Sequence, residues 1–190
     1  MFSESISNSA ITQFPKIEYP GVIRIVRTGK ELEGRLRELG KERLIGFDTE
    51  TKPSFRKGTV NGVALLQLAT DSTALLIRLK DTGIPQCLVD FFENPQLLKI
   101  GAAIQDDIKA LQKITPFVPS GFLDLQNIVP QYGIECLSVR KMAGIVLSAR
   151  VSKSQQLSNW DADIYTDAQQ QYAATDAWVC RKIYLKLTNS

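Results

Sequence analysis

Apolar residues recur along this chain with two different periods, and the two periods alternate from segment to segment. Short apolar runs bounded by turn-forming residues predict β-strands. The predicted strands cover residues 22–26, 44–49, 63–69, 74–79, 99–102 and 122–123. The second, third and fourth strands are separated only by turn-type residues, which favours an antiparallel meander.

Spacings of three and four residues between apolar positions predict helices in the rest of the chain. These helices cover residues 28–40, 85–93, 106–113, 125–132, 138–146 and 166–187. The first one opens on Thr28-x-x-Glu31, a capping-box pattern, and ends near Gly40. Strands that come early and helices that come mostly late predict an α/β fold in which helices flank a mixed sheet.

Five residues with reactive side chains lie inside or at the ends of these apolar elements: Asp48, Glu50, Asp107, Tyr172 and Asp176. The period of two along a strand places Asp48 and Glu50 on one face. Asp176 interrupts an apolar helical stripe, and Tyr172 lies one turn before it on the same face. A buried carboxylate without a partner is costly, so such groups are normally neutralised by a cation or by a proton.

The adjacent acids Asp106 and Asp107 differ in the helical face that they occupy. At about 100° per residue, Asp107 lies beside the stripe of Ile104, Ile108 and Leu111, whereas Asp106 points to the opposite side. We therefore predict that Asp107 belongs to the site. Asp106 is predicted to cap or charge the first turn of the helix, where a negative side chain is favourable.

The predicted ligands are all oxygen atoms, because the set includes neither histidine nor cysteine and the chain contains no histidine. Oxygen ligands select hard cations, chiefly Mg²⁺ or Mn²⁺. A lone Asp-x-Glu after a strand, or a lone Asp in a helix, has ordinary structural explanations. A set of carboxylates shared between a strand and two helices is much harder to explain without a cation.

Length and composition set the remaining limits. The 190 residues suit one domain, and a formal net charge of +3 permits a polyanionic substrate. Cys87, Cys136 and Cys180 are odd in number and far apart, which predicts neither a disulfide framework nor a zinc site and favours a reducing, cytoplasmic location. Residues 1–20 are predicted to form a flexible arm that is not a signal peptide. No apolar run is long enough to span a bilayer, so no membrane partner is expected.

Three ordered motifs resemble those of the DEDD superfamily of 3′–5′ exonucleases. They are Phe47-Asp48-Thr49-Glu50-Thr51, Ile100-Gly101 followed by Asp107 and Leu111, and Tyr172-Ala173-Ala174-Thr175-Asp176-Ala177. The last motif has the tyrosine form (DEDDy), and the histidine branch is excluded because histidine is absent. The motifs are particularly similar to those of the Werner syndrome helicase exonuclease domain, and more distantly to ribonuclease D and the proofreading domain of family A DNA polymerases. The resemblance implies a ribonuclease H-like exonuclease domain over residues 21–190.

The resemblance also implies a two-metal-ion mechanism. Asp48, Glu50 and Asp176 would hold one divalent cation, and Asp48 would hold the second, with Asp107 acting through water. Tyr172 would orient the attacking water. The expected reaction is removal of nucleoside 5′-monophosphates from the 3′ end of nucleic acid, with DNA as the expected substrate. A ribonuclease D-like exoribonuclease and a non-catalytic nucleic-acid-binding module are the alternatives.

Several further residues are candidate substrate contacts. They are Lys52, Phe55, Arg56 and Lys57 after the Asp48 strand, and Arg150 and Lys153 before the last helix. The basic residues would grip phosphates, and Phe55 would stack on the terminal base. Their alternative interpretations are solvated loop charges and an apolar loop anchor. Asp124 is predicted to be a helix N-cap in preference to a fifth ligand.

Overall fold

A computed structural model of the chain describes residues 2–51 and 62–189. Within these residues, six strands form one mixed sheet in the order β1-β4-β3-β2-β5-β6. The strands are β1 (Val22–Val26), β2 (Leu44–Thr51), β3 (Val63–Ala69), β4 (Thr73–Arg78), β5 (Leu98–Gly101) and β6 (Phe122–Asp124). β2, β3 and β4 pair antiparallel, whereas β1–β4, β2–β5 and β5–β6 are parallel. The predicted α/β fold with a mixed sheet, including the meander, is confirmed.

The described helices are α1 (Asn8–Thr12), α2 (Gly29–Leu39), α3 (Leu79–Thr82), α4 (Gln86–Glu93), α5 (Gln105–Gln112), α6 (Leu125–Ile128), α7 (Val139–Leu147) and α8 (Asp167–Thr188). The sequence pattern misses α1 and α3, because one helical turn is too short to show a period. The helix predicted over 125–132 is α6 followed by a 3₁₀ turn, Val129–Tyr132. Pro130 lies at the start of that turn, and its missing N–H stops α6 from continuing. No helix of the described residues has the length and apolarity needed to cross a membrane.

Helices cover both faces of the sheet, and the two larger of the three apolar clusters in the described residues lie on opposite faces. One cluster packs α2 and α4 against the face that includes Phe47. The other packs α7 and α8 against the face that includes Ala69 and Ile100. Because side chains alternate along β2, Asp48 and Glu50 point to the α8 side, while Phe47 and Thr49 point to the opposite side.

Helix α8 crosses β2 at very short range. A Cβ atom built on Gly46 would lie 2.0 Å from the backbone oxygen of Ala177, so only glycine fits at this position. Ala173, Ala174 and Ala177 are all fully buried along the same stretch of the helix. These small side chains let the helix backbone approach the strand, and the approach sets the distance between the acids of β2 and α8.

Residues 2–20 pack against the domain, which differs from the loosely held arm expected from their polar composition. The Ile11 side chain is fully buried. The backbone pairs with Arg150, through a 2.9 Å hydrogen bond from Arg150 N to Pro15 O and a 3.0 Å bond from Ile17 N to Arg150 O. Tyr19 N donates to Thr175 Oγ1 at 3.0 Å, on α8. A few apolar anchors hold this segment, and average composition does not reveal them.

Candidate active site

Three carboxylates meet where the end of β2 faces α8. Ligand oxygens of Asp48, Glu50 and Asp176 all lie within 4.8 Å of one another. The strand period puts the first two on one face, and the close crossing at Gly46 and Ala177 brings in the third. The sequence predicts these three acids as ligands of one cation, and the structure brings them together.

Burial and mutual repulsion raise the pKa values of the carboxylates in this cluster. Burial, and then the charges of Asp176 and Asp107, raise the pKa of Asp48 well above its ordinary value. Burial and the neighbouring acids raise the pKa of Glu50 to about 9. Burial raises the pKa of Asp176 to about 7, against the opposing effects of a hydrogen bond from Tyr172 and the charge of Lys153. Three hard oxygen donors that repel one another fit a divalent cation, which would relieve the repulsion.

Asp107 lies beside this cluster but outside the group of three. Thr49 Oγ1 donates a 2.6 Å hydrogen bond to Asp107 Oδ1. Burial raises the pKa of Asp107, and the hydrogen bond from Thr49 opposes this rise. The acid is half-buried, and its charge contributes to the raised pKa of Asp48. Asp107 therefore acts on the cluster from the α5 side of the sheet.

The neighbouring Asp106 has a different environment. Its side chain is 94% exposed and forms an ion pair with Lys109 at 3.1 Å. It lies in the first turn of α5 as predicted, but the capping residue, Ile104, has no side-chain cap hydrogen bond. Of the two predicted roles, the charge in the first turn is confirmed and the cap is not.

Asp124 holds the start of α5 from another element. Its carboxylate accepts hydrogen bonds from Gln126 N at 2.9 Å, Ala103 N at 3.0 Å and Ile104 N at 3.1 Å. The first of these bonds confirms the predicted N-cap of α6. The other two fix the turn at Ala103, whose φ of 59° is left-handed and rare for alanine. Sequence reasoning missed this second role, because the two ends of the contact are about twenty residues apart.

Tyr172 precedes Asp176 by one turn of α8, and the two side chains are hydrogen bonded. Its ring packs against Trp160, with ring centroids 6.0 Å apart. Burial, followed by the charges of Asp176 and Glu50, raises the pKa of Tyr172 above its ordinary value. The hydroxyl is therefore protonated at neutral pH and available as a hydrogen-bond donor at the cluster.

Two clefts open beside the carboxylates. One has a volume of about 150 Å³ and is lined by Asp48, Ser138, Val139, Arg140, Val151, Ser152, Lys153, Gln156, Tyr172 and Asp176. The other, of about 140 Å³, shares Tyr172 and Asp176 and is closed by the N-terminal residues Lys16, Ile17 and Glu18. The two clefts therefore leave room for the end of a linear polymer on both sides of Tyr172.

The predicted substrate contacts are distributed unevenly around these clefts. Lys153 lines the first cleft and is exposed. Arg150 lines neither cleft and pairs through its backbone with the N-terminal segment. Lys52, Phe55, Arg56 and Lys57 lie outside the residues that the structure describes. Arg140 was missed, because its place in an ordinary helical pattern gives no hint of the cleft.

Comparison with known proteins identifies the family to which this chain belongs. A model of the 3′–5′ exonuclease family matches residues 23–190 of the chain. The chain belongs to the 3′–5′ exonuclease family. It is 28% identical to a 3′–5′ exonuclease of Arabidopsis thaliana over 94% of its own length and 68% of that protein. It is also 28% identical to the bifunctional 3′–5′ exonuclease/ATP-dependent helicase WRN of Mus musculus, over 92% of this chain but only 13% of the relative.

A solved exonuclease structure agrees with the assignment. The Nibbler EXO domain of Aedes aegypti superposes with a TM-score of 0.78 at 25% identity, covering 88% of this chain and 87% of that domain. The resemblance read from the motifs is confirmed at the level of the superfamily. Membership in this exonuclease family implies a nucleic-acid substrate, and the acidic cluster implies dependence on a divalent metal.

Proposed function

We propose that this chain removes nucleoside 5′-monophosphates one at a time from the 3′ end of DNA. The observation that carries the proposal is the group formed by Asp48, Glu50 and Asp176 within 4.8 Å, in a chain that matches the exonuclease family over residues 23–190. The choice of DNA rests on the likeness of the motifs to those of the Werner syndrome helicase and polymerase proofreading domains.

The metal ligands in this proposal follow from the donor set. Asp48, Glu50 and Asp176 would hold one divalent cation, Mg²⁺ or Mn²⁺. Asp48 would also hold a second cation, with Asp107 acting through water. Cations bound in this way lower the pKa of water and stabilise charge on the reacting phosphate.

The remaining residues would position the reactants. Tyr172, protonated and hydrogen bonded to Asp176, would orient the attacking water by donating or accepting a hydrogen bond. Lys153, whose charge already reaches Asp176, would balance the charge of the phosphate being cut. A bond forms between the water oxygen and phosphorus, and the bond from phosphorus to the 3′ oxygen of the preceding nucleotide breaks. That oxygen leaves with a proton as a free 3′ hydroxyl.

The decisive experiment uses matched DNA and RNA strands labelled at the 5′ end, both single-stranded and duplex, with Mg²⁺ or Mn²⁺. We expect a ladder of products shortened from the 3′ end, faster on DNA, abolished by excess chelator and by Asp48→Ala. Circular dichroism of Asp48→Ala would show that the fold survives. Faster digestion of RNA would favour the ribonuclease D-like alternative, and undiminished cleavage in chelator would refute the metal mechanism.

The non-catalytic alternative makes a different prediction in the same experiment. A binding module would retain the labelled strands on the protein without shortening them in either metal. All four acids and Tyr172 are present, and Asp48, Glu50 and Asp176 form one group with Asp107 and Tyr172 beside it, which supports catalysis instead. The cytoplasmic location expected from the cysteines stays a prediction.

A further inference from the structure

Arg140 lines the first cleft, and one of its guanidinium atoms, Nε, lacks a hydrogen-bond partner. It is the second residue of α7, and it lines the cleft together with Asp48 and Asp176. The side chain is half-buried, and its Nε atom is buried without a hydrogen-bond partner. Within residues 2–51 and 62–189, no ion pair involves its guanidinium.

An unpartnered guanidinium atom is unfavourable unless a ligand supplies the missing hydrogen-bond acceptor. Buried polar atoms without a partner cost free energy, and buried arginines are normally paired with acids. The Nη1 atom of Arg181 likewise makes no hydrogen bond, but it forms an ion pair with Asp71 at 2.6 Å. Arg150 also has an unpartnered Nε, but it does not line the cleft. The position of Arg140 therefore favours an anion that enters from solvent.

The chemistry of the cleft narrows the kind of anion. A guanidinium presents a planar fork of donors that matches phosphate oxygens in a bidentate way. Arg140 stands in the first turn of α7, capped by Ser138, where the helix dipole adds positive potential. The opposite wall of the cleft is acidic, so it would repel an isolated anion bound at Arg140. A nucleic-acid strand would not be repelled in this way, because metal held by the carboxylates would balance the charge of its next phosphate.

We infer that Arg140 binds a backbone phosphate of the nucleic-acid strand next to the one being cut, and so sets substrate affinity without taking part in the chemistry. The inference rests on the proposed function and deepens it. Lys153 and Arg140 line the same cleft as Asp48 and Asp176, so both cations stand where an entering strand passes the carboxylates.

The test compares Arg140→Gln and Arg140→Lys with Lys141→Gln, a matched control that removes one charge from the next residue of the same helix, outside the cleft. Steady-state digestion of a 5′-labelled oligonucleotide is measured from 50 to 200 mM salt. We expect Arg140→Gln to raise KM about 10- to 100-fold with kcat nearly unchanged, the loss typical of a charged hydrogen bond. Its salt slope should fall by about 0.7 for a single strand, since one phosphate contact is lost.

The two other variants sharpen the result. Arg140→Lys should recover part of the affinity, because it keeps the charge but loses the fork. Lys141→Gln should match the parent in KM and in salt slope. An unchanged KM for Arg140→Gln, or a loss confined to kcat, would overturn the inference, provided that the melting temperature of the variant matches that of the parent.

Binding without cleavage separates this inference from the proposed function. Fluorescence anisotropy in Mg²⁺, with an oligonucleotide of the same sequence whose 3′-terminal linkages are replaced by non-cleavable phosphate analogues, measures affinity when no reaction occurs. Weaker binding by Arg140→Gln than by Lys141→Gln supports the phosphate contact even if the parent protein fails to cut any strand, a result that would refute the exonuclease proposal alone. Cleavage by the parent with equal binding by both variants would refute the role of Arg140 alone.

Discussion

The hydroxyl of Thr49 donates a 2.6 Å hydrogen bond to the carboxylate of Asp107. Thr49 lies between Asp48 and Glu50 on β2, but its side chain points to the opposite face of the strand. One three-residue stretch thus supplies two acids to the α8 side and holds a third acid that comes from α5. The spacing between Asp107 and the other carboxylates depends on this contact.

Replacing Thr49 with valine should disturb Asp107 while leaving the strand intact. Thr49→Val keeps the branched shape and removes the donor, so we expect exonuclease turnover to fall by about 10-fold or more, the range for a hydrogen bond to a charged group. The pKa of Asp107 should rise further, because the lost hydrogen bond now lowers it. A metal titration of activity should then require more Mg²⁺. Thr115→Val is the control, because it removes a hydroxyl that donates instead to Ile84 O, at 3.5 Å. Equal activity of the two variants would contradict the proposed coupling.

Asp107 and Asp106 should differ strongly in their effects on activity. Asp107→Ala removes a half-buried acid that acts on the cluster, so we expect a loss on the order of 100-fold or more, as for other groups that stabilise developing charge. Asp106→Ala removes an exposed ion pair with Lys109, and such pairs contribute about 0–1 kcal/mol to stability. Single-turnover rates at saturating metal measure the difference. Similar losses for both variants would show that the helical face does not decide the role.

Tyr172→Phe should separate orientation of water from metal binding. The variant keeps the ring against Trp160 and removes only the hydroxyl, so we expect turnover to fall by about 10²- to 10⁴-fold, the range for positioned acid–base groups. Metal affinity, measured by calorimetry, should stay close to that of the parent. Tyr184→Phe, three turns further along α8, is the control. Parent-like turnover in Tyr172→Phe would leave this tyrosine a packing role only.

Gly46→Ala tests the close crossing of β2 and α8. The added methyl group would lie 2.0 Å from the Ala177 oxygen, so the helix has to move away from Asp48. Overpacking of this kind costs about 1–3 kcal/mol of unfolding free energy, and activity should fall more than stability because the carboxylates separate. Gly34→Ala in α2, where nothing lies within 4 Å, should instead stabilise the fold by about 0.5–1 kcal/mol. Denaturant unfolding and metal titration of both variants provide the comparison.

Lys99 should make the free energy of unfolding depend on pH in the alkaline range. The side chain is fully buried, and its Nζ donates hydrogen bonds to Asn94 O at 2.9 Å and Phe91 O at 3.2 Å. Burial lowers the pKa of Lys99 to about 8 from an ordinary value of 10.5. Between these two values the unfolded chain binds more protons than the folded one, so stability rises with pH across this window and gains nothing further above it.

The Lys99→Met variant isolates this pH dependence from other titrations. The parent should gain stability relative to the variant between pH 8 and 10.5, by on the order of 3 kcal/mol at full effect. Urea unfolding at several pH values measures the difference. Parallel stability curves for the two proteins would show that Lys99 does not titrate in this range.

Most elements of the fold and most chemical groups of the site follow from local features of the amino-acid sequence. Strand and helix periods are local properties, so they predicted β2 and α8 and the faces on which Asp48, Glu50 and Asp176 stand. The motif order added the family and the role expected of Tyr172. These inferences succeeded because each depends on residues within a few turns of one another.

Tertiary structure decided the relations between distant segments. Spacing does not predict that Thr49 reaches Asp107, that Asp124 holds the turn before α5, or that the N-terminal residues close a cleft beside α8. The role proposed for Arg140 follows only from its position in the cleft opposite Asp48 and Asp176. Each of these contacts joins elements that are far apart in the chain, and their distances are set by packing, above all by the close approach of α8 to Gly46.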